Sequence, residues 1–333
     1  MNTAKIELHL HLDGSLNIRW AYERSLRQRV IDESCTFEDY YHMLYQNNFA
    51  ARHVSITKFD LVCNILQHYE DLYDAAYDLV KRLHETGIIY AEIRFASQQH
   101  TKCGLSQLEA LQAVIDGAQK AMIDYPDIRI GIINCMMHKG DSAAFNMKEN
   151  METVEVTGRL LGKGAVGLDL AGFENNCPYT DYSPLFETAR REGIPYTMHS
   201  GEMGEGAHIM DALNMGAYRI GHGINCIQKD EWVEALVSRQ IPLEICVTSN
   251  IKSTLDYSSH PVRYLMEKGA KVTLNTDNMI FAKTNLQNEH AQLKMIGVTD
   301  EQLIRCTYNA AEAAFCDEQT RRWIISRLDE EFR

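Results

Sequence analysis

Short apolar and β-branched runs recur along this chain, and longer amphipathic stretches separate them. Most of these runs are almost continuously apolar, which is typical of parallel strands that are covered on both faces. We predict eight strands, at residues 5–12, 88–95, 128–135, 165–171, 194–199, 218–222, 241–247 and 271–277. Helical periodicity fills the intervals, as in residues 70–86, 105–124 and 183–192.

Eight strand–helix units in 333 residues fit one α/β domain over residues 1–333, a (β/α)8 TIM barrel. Gly87, Gly193 and Gly269 stand just before predicted strands, where helix C-caps are expected. The competing arrangement, a doubly wound open sheet, lacks its signals. No G-x-G-x-x-G follows the first strand, and no G-x-x-x-x-G-K-[ST] occurs.

A long interval separates the first two predicted strands, and we interpret residues of about 14–86 as a helical insertion after strand 1. An insertion at the C-terminal mouth of a barrel is where a lid would lie. Its apolar stretch, residues 49–66, would then supply an apolar wall to the site. The candidates for that wall are Phe59, Leu61 and Val62, although each is equally well explained as an ordinary core residue.

Composition narrows the class of protein. The chain is 45% hydrophobic and 24% charged, as in ordinary globular proteins, and no run approaches the roughly 18 apolar residues of a membrane span. The net charge of −13 argues against a nucleic-acid surface, and nine dispersed cysteines indicate free thiols. With no signal peptide recognisable, we expect a cytoplasmic protein with a small-molecule partner. The oligomeric state is not indicated.

Unusual polar residues fall at the carboxyl ends of predicted strands, the face where barrel enzymes place their active sites. They are His9 and His11 on the first strand, His199 on the fifth, His222 on the sixth and Asp277 on the eighth. Residues i and i+2 of a strand point to the same face. A pair of satisfied core histidines would explain His9 and His11 alone, but further histidine and carboxylate ligands favour Zn²⁺ in an open, catalytic site.

Seven motifs carry a resemblance to a known family. They are "HLHLDGSL", "IIYAEIRF", "VGLDLAG", "MHSGE", "RIGHG", "TSN" and "LNTD". In this order they resemble the adenosine deaminase family of the metal-dependent amidohydrolases, from residue 5 to about residue 315. The resemblance implies zinc-dependent hydrolytic deamination of adenosine, and of 2′-deoxyadenosine, to the inosine product and ammonia.

The resemblance also implies the roles of single residues. One Zn²⁺ per chain would be held by four ligands: His9, His11, His199 and Asp277. His222 would orient the attacking water as a general base. Glu202 would deliver a proton to purine N1, which requires a pKa raised by burial. Glu205 fits better as an ordinary surface residue near a helix start.

Substrate contacts follow from the same resemblance. Asp13 would accept a ribose hydroxyl, although an Asp before Gly is also a common turn residue. The backbone N–H of Gly172 would reach a purine ring nitrogen, and His11 would also lie against the substrate. Asn278 stands where many family members have Asp. Its amide can donate to purine N7 at any pH, so the departure puts the exact purine in doubt and leaves the chemistry intact.

Two rival functions stay open. One is a deaminase of adenine, an N6-substituted adenine or AMP. Few cations accompany the motifs, and the candidates for a phosphate clamp are Arg52, Lys58, Lys252 and Lys283. The other rival is a non-catalytic purine-binding protein that keeps the fold.

Two further classes are disfavoured. A two-metal phosphoesterase would need Lys or Glu at the end of the fourth strand, and "VGLDLAG" has neither there. The small nucleobase deaminases use H-x-E with P-C-x-x-C, and the chain has neither element. We also predict a buried ion pair between Glu92 and Arg94 and a structural role for Asp169.

Overall fold

The computed structural model describes residues 4–45, 49–51, 54–174, 177–203, 205–253 and 257–332. The strands are β1 (Lys5–His11), β2 (Phe49–Ala51), β3 (Val54–Ile56), β4 (Ile88–Phe95), β5 (Arg129–His138), β6 (Ala165–Gly172), β7 (Thr197–Ser200), β8 (Arg219–His222), β9 (Leu243–Ile245) and β10 (Val272–Leu274). The first helices are α1 (Ile18–Arg27), α2 (Phe37–Tyr45), α3 (Lys58–Cys63), α4 (Tyr69–Glu85), α5 (Gln107–Asp124), α6 (Met147–Leu160) and α7 (Ser183–Arg191). The remaining helices are α8 (Ala207–Asn214), α9 (Asp230–Ser238), α10 (Val247–Ser253), α11 (Val262–Glu267), α12 (Met279–Ala282), α13 (Leu286–Met295), α14 (Asp300–Ala313) and α15 (Glu318–Phe332).

Eight of the strands are parallel and form two four-stranded sheets, in the orders β1-β4-β5-β6 and β7-β8-β9-β10. Single bridges join the sheets at both edges, between Leu10 and Asp277 and between Leu168 and Tyr196. At the first junction Asp277 N donates to His9 O at 2.8 Å and His11 N donates to Asp277 O at 2.9 Å. The predicted (β/α)8 barrel is therefore confirmed.

Apolar burial explains why these strands form the centre. Every residue of β4 is buried, as expected for a parallel strand with side chains packed on both faces. The predicted strand boundaries hold within a few residues, although β5 runs three residues beyond position 135 and β10 ends at Leu274.

All nine cysteines are free, as predicted. No helix within the described residues has both the length and the apolar character needed to cross a membrane.

The segment between β1 and β4 contains two helices, the antiparallel hairpin β2–β3 and then α3 and α4. The last of these, α4, packs along α5 and belongs to the outer ring of barrel helices. The extra structure therefore ends before α4, earlier than the predicted boundary near residue 86. Leu61 and Val62 pack in the hydrophobic core with 2% and 0% exposure, which agrees with the alternative explanation of them as ordinary core residues.

The close packing of α4 on α5 depends on Gly117. A Cβ at this position would lie 2.3 Å from the backbone oxygen of Tyr73. Replacing glycine by alanine inside a helix normally stabilises it by about 1 kcal/mol. Here we expect Gly117→Ala to lower the free energy of unfolding by about 1–3 kcal/mol, because a backbone atom cannot move aside cheaply.

Gly158 in α6 is the matched control for this substitution. The closest obstacle to a Cβ there is the terminal Oε2 of Glu192 at 2.6 Å, the end of an exposed, flexible side chain. Gly158→Ala should therefore leave the melting temperature unchanged or raise it. Denaturant unfolding of both variants measures the difference, and equal effects would contradict the packing argument.

Candidate active site

The carboxyl ends of the strands surround a cavity of about 680 Å³. It is lined by four of the residues that were predicted to meet at this face of the barrel: His11, His199, His222 and Asp277. His9 lies beneath them with 0% exposure. Because all eight strands are parallel, residues at their carboxyl ends meet at one rim although they are far apart in sequence.

The five side chains converge on one point. His11 Nε2 lies 3.3 Å from His199 Nε2 and 3.3 Å from Asp277 Oδ1, while His9 Nε2 lies 3.6 Å from the same carboxylate oxygen. One ligand atom each from His9, His199, His222 and Asp277 fall within 4.8 Å of one another. Three of the predicted ligands are in this group of four, together with His222, which was predicted as a general base. The fourth, His11, is outside the group and adjoins it through His199 and Asp277.

The chemistry of this group fits a metal ion. Within the described part of the chain, the buried Nε2 atoms of His9 and His222 have no hydrogen-bond partner. Buried polar atoms of this kind need a partner, which a cation supplies to several of them at once. Imidazole nitrogens with one carboxylate are the donor set of catalytic Zn²⁺ sites.

A buried network beneath the site orients two of the histidines. His9 Nδ1 donates to Glu244 Oε2 at 2.7 Å, and His199 Nδ1 lies 2.9 Å from Asp169 Oδ2. Arg94 donates to those same two oxygens, at 2.9 Å each. A carboxylate on Nδ1 selects the tautomer whose Nε2 lone pair faces a metal. Asp169 therefore orients His199, which is more than the structural role predicted for it.

The predicted ion pair between Glu92 and Arg94 is wrong. Glu92 Oε2 accepts from Arg219 at 2.6 Å, and Arg219 also donates to Glu244 Oε1 at 2.6 Å. Glu92 and Arg94 do point to the same face of β4. However, two residues of a strand span roughly 6.6 Å, so the carboxylate lies one layer below the guanidinium.

Backbone conformation brings two site residues over the cavity. His222 has φ of 63° and Asp277 has φ of 60°, a region that residues other than glycine rarely adopt. Such strain persists where the surrounding structure holds it and is common at functional sites. Gly221, directly before His222, leaves room for the ring of His9, since a Cβ there would lie 3.1 Å from His9 Cε1.

Glu202 lies on the loop after β7, with Oε2 3.4 Å from His222 Nε2. Glu174 holds this loop, because its Oε2 accepts from the backbone N–H of Glu202 at 2.9 Å and of Met203 at 2.6 Å. Burial and then the negative charge of Asp277 raise the pKa of Glu202 to about 8. The carboxyl group therefore has the raised pKa that the sequence led us to expect.

The substrate-contact candidates line the same cavity. Asp13 Oδ2 accepts from the thiol of Cys63 at 3.4 Å, and burial raises the pKa of Asp13. Asn278 donates to Asp277 Oδ1 at 2.7 Å and lies against Gly14, where a Cβ would come within 1.9 Å of Asn278 Oδ1. The backbone of Gly172 borders the cavity at the end of β6.

The family model for adenosine deaminase matches residues 4–331, nearly the whole chain. The chain belongs to the adenosine deaminase family. The resemblance seen in the motifs is thereby confirmed, and the protein is a hydrolase that acts on a C–N bond of a cyclic amidine. The adenosine deaminase of Haemophilus ducreyi is 32% identical over 98% of this chain and 96% of its own length.

Two solved structures share the fold. The N6-mAMP deaminase of Arabidopsis superposes with a TM-score of 0.83 at 24% identity, covering 99% of this chain and 98% of that one. An amidohydrolase from Burkholderia ambifaria, solved with bound Zn, gives a TM-score of 0.85 at 21% identity and covers 99% of this chain and 91% of that one. Both confirm the architecture.

Several residues of this adenosine deaminase family site were missed in the sequence. Ser249 Oγ donates to Asp277 Oδ2 at 2.6 Å, and Asn250 Nδ2 contacts both His222 and Glu202. Both lie in the "TSN" motif, which carried the resemblance but had no role assigned. Glu244, which orients His9, had no sequence signal beyond being a charged residue inside an apolar run.

One of the four candidate cations for a phosphate clamp, which belonged to the rival function, lies at the cavity. Lys58 lines the cavity, as does Lys139, which was not predicted. Lys283 instead lies over the rings of Tyr41 and Tyr45. Arg52 and the side chain of Lys252 lie outside the described residues.

The apolar wall is present in part. Phe59 borders the cavity and contacts the Phe281 ring with a centroid distance of 4.7 Å. Leu61 and Val62, the other two candidates, are in the core. A lid function for this segment stays a prediction.

Removal of one ligand tests the metal site. We expect His11→Ala to lower bound zinc below one ion per chain, because its Nε2 lies within 3.3 Å of two other donor groups. Metal analysis after removal of excess zinc measures the occupancy. His138→Ala is the matched control, since this buried histidine lines the same cavity but is not part of the convergent group. Full occupancy in His11→Ala would exclude His11 as a ligand.

Proposed function

We propose that this chain converts adenosine and 2′-deoxyadenosine, with water, to the corresponding inosine product and ammonia, using one Zn²⁺ per chain. The observation that carries the proposal is the convergence of four metal-binding side chains beside a carboxyl group of raised pKa. The name of the Haemophilus ducreyi relative supports the choice of adenosine.

His9, His11, His199 and Asp277 would hold the zinc. When bound, Zn²⁺ makes water available as a nucleophile at neutral pH. Asp169 and Glu244 keep two of the histidines in the ligating tautomer. The metal charge would stabilise the ionised Asp277, whose oxygens also accept from Ser249 and Asn278.

Glu202 supplies the proton that activates the ring. A carboxyl group with a pKa of about 8 is protonated at neutral pH and can protonate purine N1. Protonation withdraws electrons from C6, which allows the oxygen of water to form a bond there. One proton of the water passes to the amino nitrogen, so that the C6–N6 bond breaks and the group leaves as ammonia. The other returns Glu202 to its acid form as the oxygen on C6 becomes a carbonyl.

His222 orients the nucleophile. Its Nε2 lies on the cavity side, 3.4 Å from Glu202 Oε2, so one imidazole and one carboxyl group flank the place of attack. Burial and neighbouring cationic groups hold the pKa of His222 well below its ordinary value, so the ring is neutral. A neutral imidazole can hold or move a proton at Nε2.

Three groups would position the nucleoside. Asn278 would donate to N7, the Gly172 N–H would donate to the opposite ring edge, and Asp13 would accept from the ribose. A 5′-phosphate placed against the carboxylate of Asp13 would be repelled. This favours adenosine over a nucleotide.

Glu202→Gln tests the proton donor. Glutamine keeps the size of the side chain but has no acidic proton, so we expect kcat to fall by roughly 10²–10⁴-fold while zinc is retained. Glu205→Gln, at an exposed position on the same loop, should keep wild-type turnover. Near-normal activity of Glu202→Gln would remove Glu202 from the mechanism.

The second candidate substrate class is an N6-substituted adenine nucleotide. It is favoured by Lys58 and Lys139, which line the cavity and make no ion pair with a carboxylate in the described part of the chain. The Arabidopsis neighbour is named as an N6-mAMP deaminase.

Initial rates on adenosine, 2′-deoxyadenosine, adenine, AMP and N6-methyl-AMP decide between the classes. We expect the highest kcat/KM for adenosine and 2′-deoxyadenosine, and loss of activity with a chelator. A clear preference for either nucleotide would overturn the choice, and Lys139→Ala should then reduce that preference.

A further inference from the structure

His260 is a buried histidine outside the metal group, with 5% exposure. Its Nδ1 accepts a hydrogen bond from the backbone N–H of Val262 at 3.2 Å. A backbone N–H can only donate, so Nδ1 carries no proton. Burial lowers the pKa of His260 to about 4, so the ring is neutral at pH 7 and its single proton lies on Nε2.

That proton determines the orientation of the Asn250 amide. His260 Nε2 lies 3.3 Å from Asn250 Oδ1, and Asn250 is completely buried. A protonated nitrogen needs an acceptor, which is the amide oxygen. In the opposite orientation the amide NH₂ would face Nε2–H, and two donors would meet without an acceptor.

The amide nitrogen of Asn250 therefore faces the two reacting side chains. Nδ2 lies 3.1 Å from His222 Nδ1 and 3.3 Å from Glu202 Oε1. An NH₂ group has two protons, one for each acceptor. His222 Nδ1 then accepts, which leaves the ring proton on Nε2. Glu202 Oε1 also accepts, so an acidic proton on this carboxyl group lies on Oε2.

We propose that Asn250, held by His260, is the positioning residue that keeps the proton of His222 on Nε2 and that of Glu202 on Oε2. These two atoms are 3.4 Å apart on the cavity side, and His222 Nε2 makes no hydrogen bond within the described residues, so each group can direct its proton into the cavity. With its proton on Nε2, His222 would donate to the oxygen of the attacking water and orient it, in place of the general-base role that the resemblance implied. Neither Asn250 nor His260 lines the cavity, so both act through other side chains. The inference rests on the proposed function for its catalytic consequence, whereas the tautomer of His222 is independent of the substrate.

The first measurement uses the zinc-loaded wild-type protein labelled with ¹⁵N-histidine. Ring nitrogen shifts and their coupling to carbon-bound protons distinguish Nδ1–H from Nε2–H. We expect His222 to carry its proton on Nε2 and His260 likewise. A proton on His222 Nδ1 would overturn the proposal before any variant is made.

The second measurement uses His260→Leu, which removes the donor to Asn250. We expect a mixture of His222 tautomers and a fall in kcat of about 10–100-fold, as for other residues that orient a reacting group, with KM little changed. His260→Gln should restore the Nε2 tautomer and most of the activity, because its amide can donate to Asn250 Oδ1.

His290→Leu is the matched control. This half-buried histidine lies on α13, outside the active-site cavity, near Lys5 and Lys294. It should lose stability without a change in the His222 tautomer or in kcat. If His260→Leu behaves like this control, the contact of His260 with Asn250 does not position His222, and the proposal fails. If the wild-type protein shows the expected tautomer but does not deaminate adenosine, the proposed function fails and the positioning inference does not.

Discussion

The buried side chain of Arg94 joins the interior of the barrel to its catalytic end. Its guanidinium donates to Asp169 and Glu244, and the same two carboxylate oxygens contact His199 and His9. Ionised carboxylates with no access to water need a compensating cation, which Arg94 supplies to both. Although burial alone would raise it, Arg94 and Arg219 hold the pKa of Glu244 well below its ordinary value. The direction in which the two histidines present Nε2 depends on this charge balance.

Neighbouring side chains also hold Asp277, His222 and Glu202 in place. Ser249 and Asn278 each donate to one oxygen of Asp277, while Asn250 contacts His222 and Glu202. Donors and acceptors that are already in place do not have to reorient when charge develops in the transition state. The positive φ angles of His222 and Asp277 are consistent with such a network, because strained backbone persists only where its surroundings hold it.

The proposed function places the ribose beside Asp13, in another part of the cavity. Asp13 and Cys63 contact each other there, while Phe59 reaches the cavity from the segment between β1 and β4. Lys58 and Lys139 add two cations to a cavity wall that also carries the carboxyl groups of Asp13, Glu202 and Asp277. In the proposed function, substrate choice would depend on a balance between recognition of a ribose hydroxyl by Asp13 and attraction of an anion by the lysines.

The amino-acid sequence by itself determined the eight strands, their parallel character and the catalytic rim, because apolar periodicity and strand-end position are local properties. It also determined the residue types at that rim, from His9 to Asp277. Family motifs, and not spacing, assigned their individual roles. Proximity along one strand did not predict the correct ion pair. Glu92 and Arg94 share a strand face but bind different residues.

Only the tertiary structure decided the partners. His9 and Glu244 are separated by 235 positions, and their contact exists because closure of the barrel leaves only β10 between β1 and β9. The contacts of Asn250 with His222, Glu202 and His260 likewise depend on side-chain orientations set by neighbouring strands and loops. Periodicity specifies which face a residue occupies. The atom that a side chain contacts is decided by strand register, burial and the hydrogen-bonding needs of its neighbours, and these arise only when the whole chain is packed.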